Sequence, residues 1–542
     1  MRRAPRLSPW LAAIAAVSIH TAIAEPASER YQLDRLVPAS SFHGVHGLAF
    51  DAQDVLYAGS VVGHSIYRVD TATGAVKTFV GAPEGMADDL VFLADGTVVW
   101  TSIQHGVVRA RKGDGPVVKL AELVSANSIN VRKDGRLFAA QVFGGDGLWE
   151  IDPAGTKPPR LILKDLGGFN GFDIGPDGKL YGPLWFKHQV VRIDPDTGKL
   201  DVIADGFATP AAANFDSKWN LYVLDTARGE VVRVDIRGGK KQVVAKLATA
   251  LDNLAIDSRD RVFVSNMADN GIQQVDVAKG TARQVVKGKL ACPLGIAAVA
   301  EGPRDTLYVA DVFALRTVDS SQGKVTDVAR SHAAGTPIGY PVAVTANQRF
   351  VVVTNNEGPV QRYERSTMRL MQSWSDTHAG NAIEMPSGAL IVAQTTRGRL
   401  SRISGHGADE ERDEILADLA APLGLAIADD SSVYVSEMAA GQVSQVNVNS
   451  GLRRVIAQGL DRPQGIATDG AGVLVVEAGK GRLVRIDAST GAIDARIEVV
   501  ARDLPIGLPN VPITLSGVAV GGGGTIYVTS DVENSIWRLQ KK

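Results

Sequence analysis

Several common routes to function are closed by what this sequence lacks. There is one cysteine, Cys292, in 542 residues. No internal disulfide can form, and a lone thiol of this kind reads as a small buried hydrophobe before it reads as a nucleophile. Positive charge is not in excess: 57 Lys and Arg stand against 59 Asp and Glu, which gives no footing for nucleic-acid binding. Beyond the N-terminal segment no apolar run is long enough to cross a bilayer. There is no Gly-x-Ser-x-Gly elbow, no His-Glu-x-x-His pair and no phosphate-binding loop. The glycines from Gly521 to Gly524 read as a hairpin turn.

The N-terminus reads as an export leader. Arg2, Arg3 and Arg6 make a basic start, an apolar stretch runs from Trp10 to Ile19, and Ala22-Ile23-Ala24 is a small-x-small cleavage site. Residues 1–24 are therefore expected to be a signal peptide, and the mature protein to be periplasmic or secreted. Losing the leader removes three arginines and no acid. The mature chain is then more acidic still.

What the chain has in quantity is a repeat. Residues 170–204 read as an apolar strand, a Pro-Asp-Gly turn, a strand with Leu-Tyr, a loop, the strand VVRID, a Thr-Gly turn and the strand LDVIA. The unit recurs twelve times, at a period of about 42 residues, the length of a four-stranded propeller blade. A single blade cannot bury both faces of its sheet, so blades stack radially. The fold expected is all-β, with twelve four-stranded blades in two six-bladed propellers. The first propeller is placed at 43–288 and the second at 289–542. The last blade stops after its third strand. Residues 25–42, with the strand at Tyr31 to Val37, are expected to supply the missing outer strand.

The innermost strand of a blade lines the central channel, and its first residue sits at one mouth. Counting back eleven residues from the Leu-Tyr slot gives His46, Asp88, Asn127, Asn170, Ala211 and Asp252 for the first ring. The second ring, aligned by eye, gives Leu294, Tyr340, Gly380, Leu423, Gln464 and Ser516. One mouth is rich in hard oxygen donors, the kind Ca²⁺ prefers, and the other has no carboxylate. Asp88, Asn127, Asn170 and Asp252 are the candidate metal ligands, for a divalent ion such as Ca²⁺. Each could instead be a turn residue, since Asn and Asp accept left-handed backbone. His64, His105 and His188 lie in loops that open on the same face. An imidazole there could serve as a general base. Trp185 and Phe186, in one of these loops, could wall a pocket with His64 and His105.

The segments NSINVRKDGRLFAA, NGFDIGPDGKLYGP and DNLAIDSRDRVFVS resemble the regucalcin/gluconolactonase family of six-bladed propellers. The same blade grammar is similar to that of strictosidine-synthase-like and NHL-repeat propellers. The likeness spans nearly the whole mature chain at blade level. It implies a divalent metal held in the channel by one Glu, two Asn and one Asp. Asn127 and Asn170 fall on the two Asn slots. His46 stands where the family has Glu, and Ala211 stands where the Asp is usual. Asp252 lies one blade later, and Asp88 is an additional acid. The site is then either remodelled or lost.

Three functions are open. The leading one is a metal-dependent hydrolase of a lactone or ester, a small-molecule substrate, with Asp252 or Asp88 as base assisted by His188 or His46. The second is a non-catalytic double propeller that binds a ligand or protein partner around a structural ion. The third is a metal-dependent lyase.

Overall fold

The computed structural model describes residues 26–542, apart from 357, 376, 406, 471, 489–496 and 509–514. The expected leader lies outside the described residues. Twelve four-stranded antiparallel sheets account for nearly all regular structure. In the first eleven, four successive strands pair in chain order, as in Val45–Phe50, Leu56–Ser60, Ser65–Val69 and Val76–Val80. In the twelfth, Tyr31–Val37 pairs antiparallel with Ser535–Lys541, outside Ile526–Ser530 and Val518–Val520.

The inner strands touch in two closed circuits of six. Val45–Phe50 meets Leu251–Ile256 to close the first, and Pro293–Glu301 meets Val518–Val520 to close the second. The architecture is that of two six-bladed propellers. Apolar side chains fill each gap between blades. Phe42, Leu56 and Tyr67 pack on Phe263, Ile272 and Val286 where the first ring closes. Leu36 and Val37 join Ile296, Leu307 and Ile536 where the second closes.

The repeat is written in turn chemistry. The Asp or Asn that ends the third strand folds back on the turn to the fourth. Asp70 accepts from the backbone N–H groups of Ala72 and Thr73, and Asn447 does so from Asn449 and Ser450. These are Asx turns, closed by Gly74 and Gly451 at φ +76° and +70°. The residue ending the second strand ties down the chain arriving from the previous blade. Asp225, Asp311 and Asp531 accept backbone N–H groups there, while Gln141 and Gln394 donate to carbonyls.

The rings meet at their loop faces. Val62 of the first ring packs beside Val312 and Phe313 of the second. Arg316 pairs with Asp311 at 2.7 Å and also binds the Ala268 carbonyl of the first ring. Asn270 and Asn534 both donate to the carbonyl of Phe42, one from each ring.

Candidate functional site

Four inner strands of the first ring begin with a shift in pairing register. Pairing skips between Val45 and Leu48 and between Leu251 and Leu254, which leaves His46 and Asp252 in bulges. A bulge leaves its extra residue out of the ladder and re-aims it. Asn127 lies in a similar shift between Ala126 and Ser128. Asp88 and Asn170 precede their strands and are held by backbone bonds to Thr101 and Pro183. Crowding at the axis demands one glycine in particular. A Cβ on Gly47 would lie 2.5 Å from the Asp88 carbonyl oxygen.

The acids in this mouth fall into two kinds. Asp89, one step deeper than Asp88, accepts from the N–H groups of Ile129 and Leu90 and from Asn253 Nδ2 at 3.1 Å. Burial nonetheless pushes its carboxyl up to about 7. The carboxylates of Asp88 and Asp252 accept no hydrogen bond among the described residues. Both keep some accessible surface deep in the mouth. Burial, then the charges of Asp252 and Asp89, holds the Asp88 carboxyl well above its ordinary range. Burial likewise raises Asp252. Two half-buried acids with no hydrogen bond to their carboxylates carry a desolvation cost that a proton or a cation would relieve.

The amide oxygens of Asn127 and Asn170 converge on one hydroxyl, at 2.9 and 2.8 Å from Ser128 Oγ. A serine has a single proton to give, so it serves one of the two at a time. Asn170 Oδ1 also accepts from Gly171 N–H, and Asn127 Oδ1 depends on Ser128. Carboxylate and amide oxygens such as these are the donor types that a hard divalent cation takes. Among the described residues no cluster of three or more His, Cys, Asp or Glu forms a metal site by itself. Any ion would therefore lean on the amides.

His46 is neutral. Burial lowers its pKa to about 4, and Nδ1 donates to the Gly44 carbonyl at 2.8 Å. That bond fixes the tautomer and leaves Nε2 with its lone pair. Phe313 of the second ring packs edge-on against it, ring centres 5.5 Å apart.

The other expected residues divide. Trp185 is buried with Val142 and Ala211 at the edge of the mouth, so Ala211 contributes an apolar wall where its neighbours are polar. Phe186 and Phe143 stand exposed outside it, Phe143 packing on both Trp185 and Phe186. His64 and His105 pair with each other, ring centres 5.2 Å apart. His64 is fully buried, and neither of its ring nitrogens has a partner among the described residues. His188 is exposed on its turn, and its ring meets none of the other candidates. Sequence reasoning missed Asp89, Ser128 and Asn253, which follow mouth residues directly and were legible from that register. It also missed Phe143, His332 and Tyr340 as site neighbours. No local signal marks the last two, because they reach this mouth from the other ring.

Residues 43–313, half of the chain, match the family model described as the SMP-30/gluconolactonase/LRE-like region. The chain belongs to this family. The match covers the first ring and the polar mouth. A search of curated sequences finds no match. Among solved structures the chain is similar to the GH74 xyloglucanase of Xanthomonas campestris, at 15% identity over 94% of this chain and 100% of that one, TM-score 0.47. A candidate gluconolactonase is similar at 13% identity over 49% of this chain and 99% of its own, TM-score 0.38. Streptogramin B lyase is similar at 10% identity over 95% and 98%, TM-score 0.25. At such identities and scores these likenesses carry no weight for the chemistry. Among the described residues no helix is long and apolar enough to cross a membrane.

Proposed function

We propose that the chain is an exported, metal-dependent hydrolase of a lactone or ester, with its site in the mouth of the first propeller. Family membership supports a hydrolase-like propeller. The observation that carries the finer reading is the pair of half-buried carboxylates, Asp88 and Asp252, which accept no hydrogen bond among the described residues. Asp88, Asp252, Asn127 and Asn170 would hold the ion, probed first as Ca²⁺. When bound, such an ion polarises a carbonyl and lowers the pKa of water. The chain's own groups do the rest. Nε2 of His46, or the carboxylate of Asp252, takes the proton released as water adds to the carbonyl, and returns it to the departing oxygen. Trp185, Val142 and Ala211 exclude water on one flank.

The test is metal analysis of the purified protein, paired with a panel of lactones and esters assayed with Ca²⁺ and with chelator. Bound divalent ion and chelator-sensitive hydrolysis are expected. Full activity of the chelated protein would sink the metal mechanism. Bound ion with no turnover of any lactone or ester would favour a binding double propeller, and elimination without uptake of water would favour a lyase.

A further inference from the structure

The loop from Ser331 to Tyr340 joins the first two blades of the second ring and lies over the mouth of the first. Ala334 donates its N–H to the Ala227 carbonyl at 3.0 Å, and Arg330 donates to the Thr249 carbonyl at 3.0 Å, both on the first ring. His332 in this loop holds left-handed backbone at φ +60°, uncommon for a residue with a Cβ. Its ring packs edge-on against Trp185, centres 5.4 Å apart, and its Nε2 lies 2.8 Å from Tyr340 Oη. Tyr340 packs on Phe313, and Phe313 packs on His46. One run of ring contacts thus crosses the mouth from Trp185 to His46, and its middle belongs to the other propeller. Burial, then the charges of Asp252 and Asp88, keeps the proton on Tyr340.

The geometry points to His332 and Tyr340 as positioning residues that the second ring lends to the first ring's site, holding one neutral acceptor oxygen of a substrate whose body is apolar or aromatic. A proton count supports the oxygen. A neutral imidazole and a phenol carry two polar protons between them and spend one on their mutual bond. Whichever tautomer holds, one donor remains, and His332 Nδ1 and Tyr340 Oη have no other partner among the described residues. The flank supports the apolar body. Trp185, Val142 and Ala211 form its buried wall, and Phe143 extends it outward with an exposed ring. A polyhydroxylated sugar lactone would leave its hydroxyls unpaired along this wall. The cleavage part of this assignment rests on the hydrolase reading. The binding part does not.

The test compares the native chain with Tyr340→Phe, His332→Gln and, as a distant control, Gln445→Ala. Turnover of dihydrocoumarin and of D-glucono-δ-lactone is measured with Ca²⁺ present. Binding of the uncleavable lactam 3,4-dihydroquinolin-2-one is measured by calorimetry. The native chain is expected to bind the lactam and to prefer the aryl lactone. Loss of one neutral hydrogen bond should raise KM and weaken lactam binding about threefold to tenfold in both site variants, with kcat changed less. Ca²⁺ affinity should stay the same. If the native chain cleaves neither lactone but binds the lactam, and the variants weaken that binding, the hydrolase reading fails and the positioning role stands. A lactam that does not bind the native chain overturns the assignment. So do variants that bind it within twofold of native, or a native preference for the sugar lactone. Tyr340→Phe keeps the ring contacts, so its fold should hold even if His332→Gln disturbs the loop.

Discussion

Among the described residues, the first ring's mouth leaves Asp88 and Asp252 without hydrogen-bond partners, whereas the buried acids Asp531, Glu477 and Asp311 at the second ring's loop face are fully engaged. Asp531 accepts from Gly507 N–H, Leu508 N–H and Ser516 Oγ. Glu477 accepts from Asp461 N–H and pairs with Lys480 and Arg482. Asp311 is bonded to Arg316 and to two backbone N–H groups. In the second ring Cys292, Leu294, Leu423 and Leu515 form an apolar cluster, and a channel of about 220 Å³ runs between the inner strands. Blades of one pattern thus yield a satisfied ring and an unsatisfied one. A satisfied acid is scaffold, because its hydrogen bonds account for its burial. An unsatisfied one carries a desolvation cost that only a ligand relieves.

The sharpest way to break this contrast is to remove one acid of each kind. Asp252→Ala should cut turnover by about a thousandfold or more, the loss typical when a charge that organises the reacting centre is deleted. Its melting temperature without metal should hold or rise, because a half-buried carboxylate without a hydrogen bond has been removed. Glu477→Ala should do the reverse. It should cost roughly 3 kcal/mol of stability, less than a wholly buried pair because Lys480 and Arg482 reach solvent, and spare turnover of the folded fraction. Denaturant melts with activity assays on both proteins decide the matter. Equal loss of activity from the two would erase the distinction between the rings.

Much of the fold was legible because propeller grammar is local. Period-two strands, the Asp of VVRID and the Gly of the following turn are each fixed by contacts within a few residues, so a repeat in the sequence becomes a repeat in space. The mouth positions were legible by the same register, since His46 and Asp252 sit at fixed distances from Tyr57 and Phe263. What register cannot carry is direction and partnership. His188 and His64 occupy equivalent loops, yet one ring is exposed and the other wholly buried, and only the packing of neighbouring loops decides that. Tyr340 reads as a member of the second mouth. That it also overhangs the first mouth depends on how two propellers dock, which no strand pattern encodes.

Acid titration offers a second probe of the same contrast. A carboxyl whose pKa is higher folded than unfolded holds its proton more tightly when folded. Its stabilising contribution is complete below the ordinary carboxylate range and is lost as pH rises through the folded value. Asp89 has a value near 7, and Asp88 and Asp252 are also raised. The metal-free protein should therefore lose stability between about pH 4 and pH 8. Ca²⁺ at a hundredfold over its Kd should restore about 2.7 kcal/mol at the upper end of that range. Thermal melts across pH, with and without Ca²⁺, measure both effects. A flat profile, or a Ca²⁺ effect unchanged in Asp252→Ala, would mean that the first mouth is no less satisfied than the second.

The smallest effect is expected at His188, the loop imidazole that the sequence placed among the bases. Its ring is exposed and makes no contact with Asp88, Asp252 or His46 among the described residues, and its backbone sits at φ +59°. Left-handed backbone is strained for most side chains and free for glycine. His188→Gly therefore removes the imidazole and relieves strain in one step. Turnover should stay within about twofold, since water replaces an exposed base, and stability should shift by no more than about 1 kcal/mol, with an increase favoured. His46→Ala in parallel should lower turnover far more, because the buried Nε2 lone pair has no solvent substitute. A tenfold loss from His188→Gly with His46→Ala unaffected would move the chemistry from the channel mouth to its rim. The contrast between satisfied and unsatisfied acids would then describe where an ion rests and not where a bond is broken.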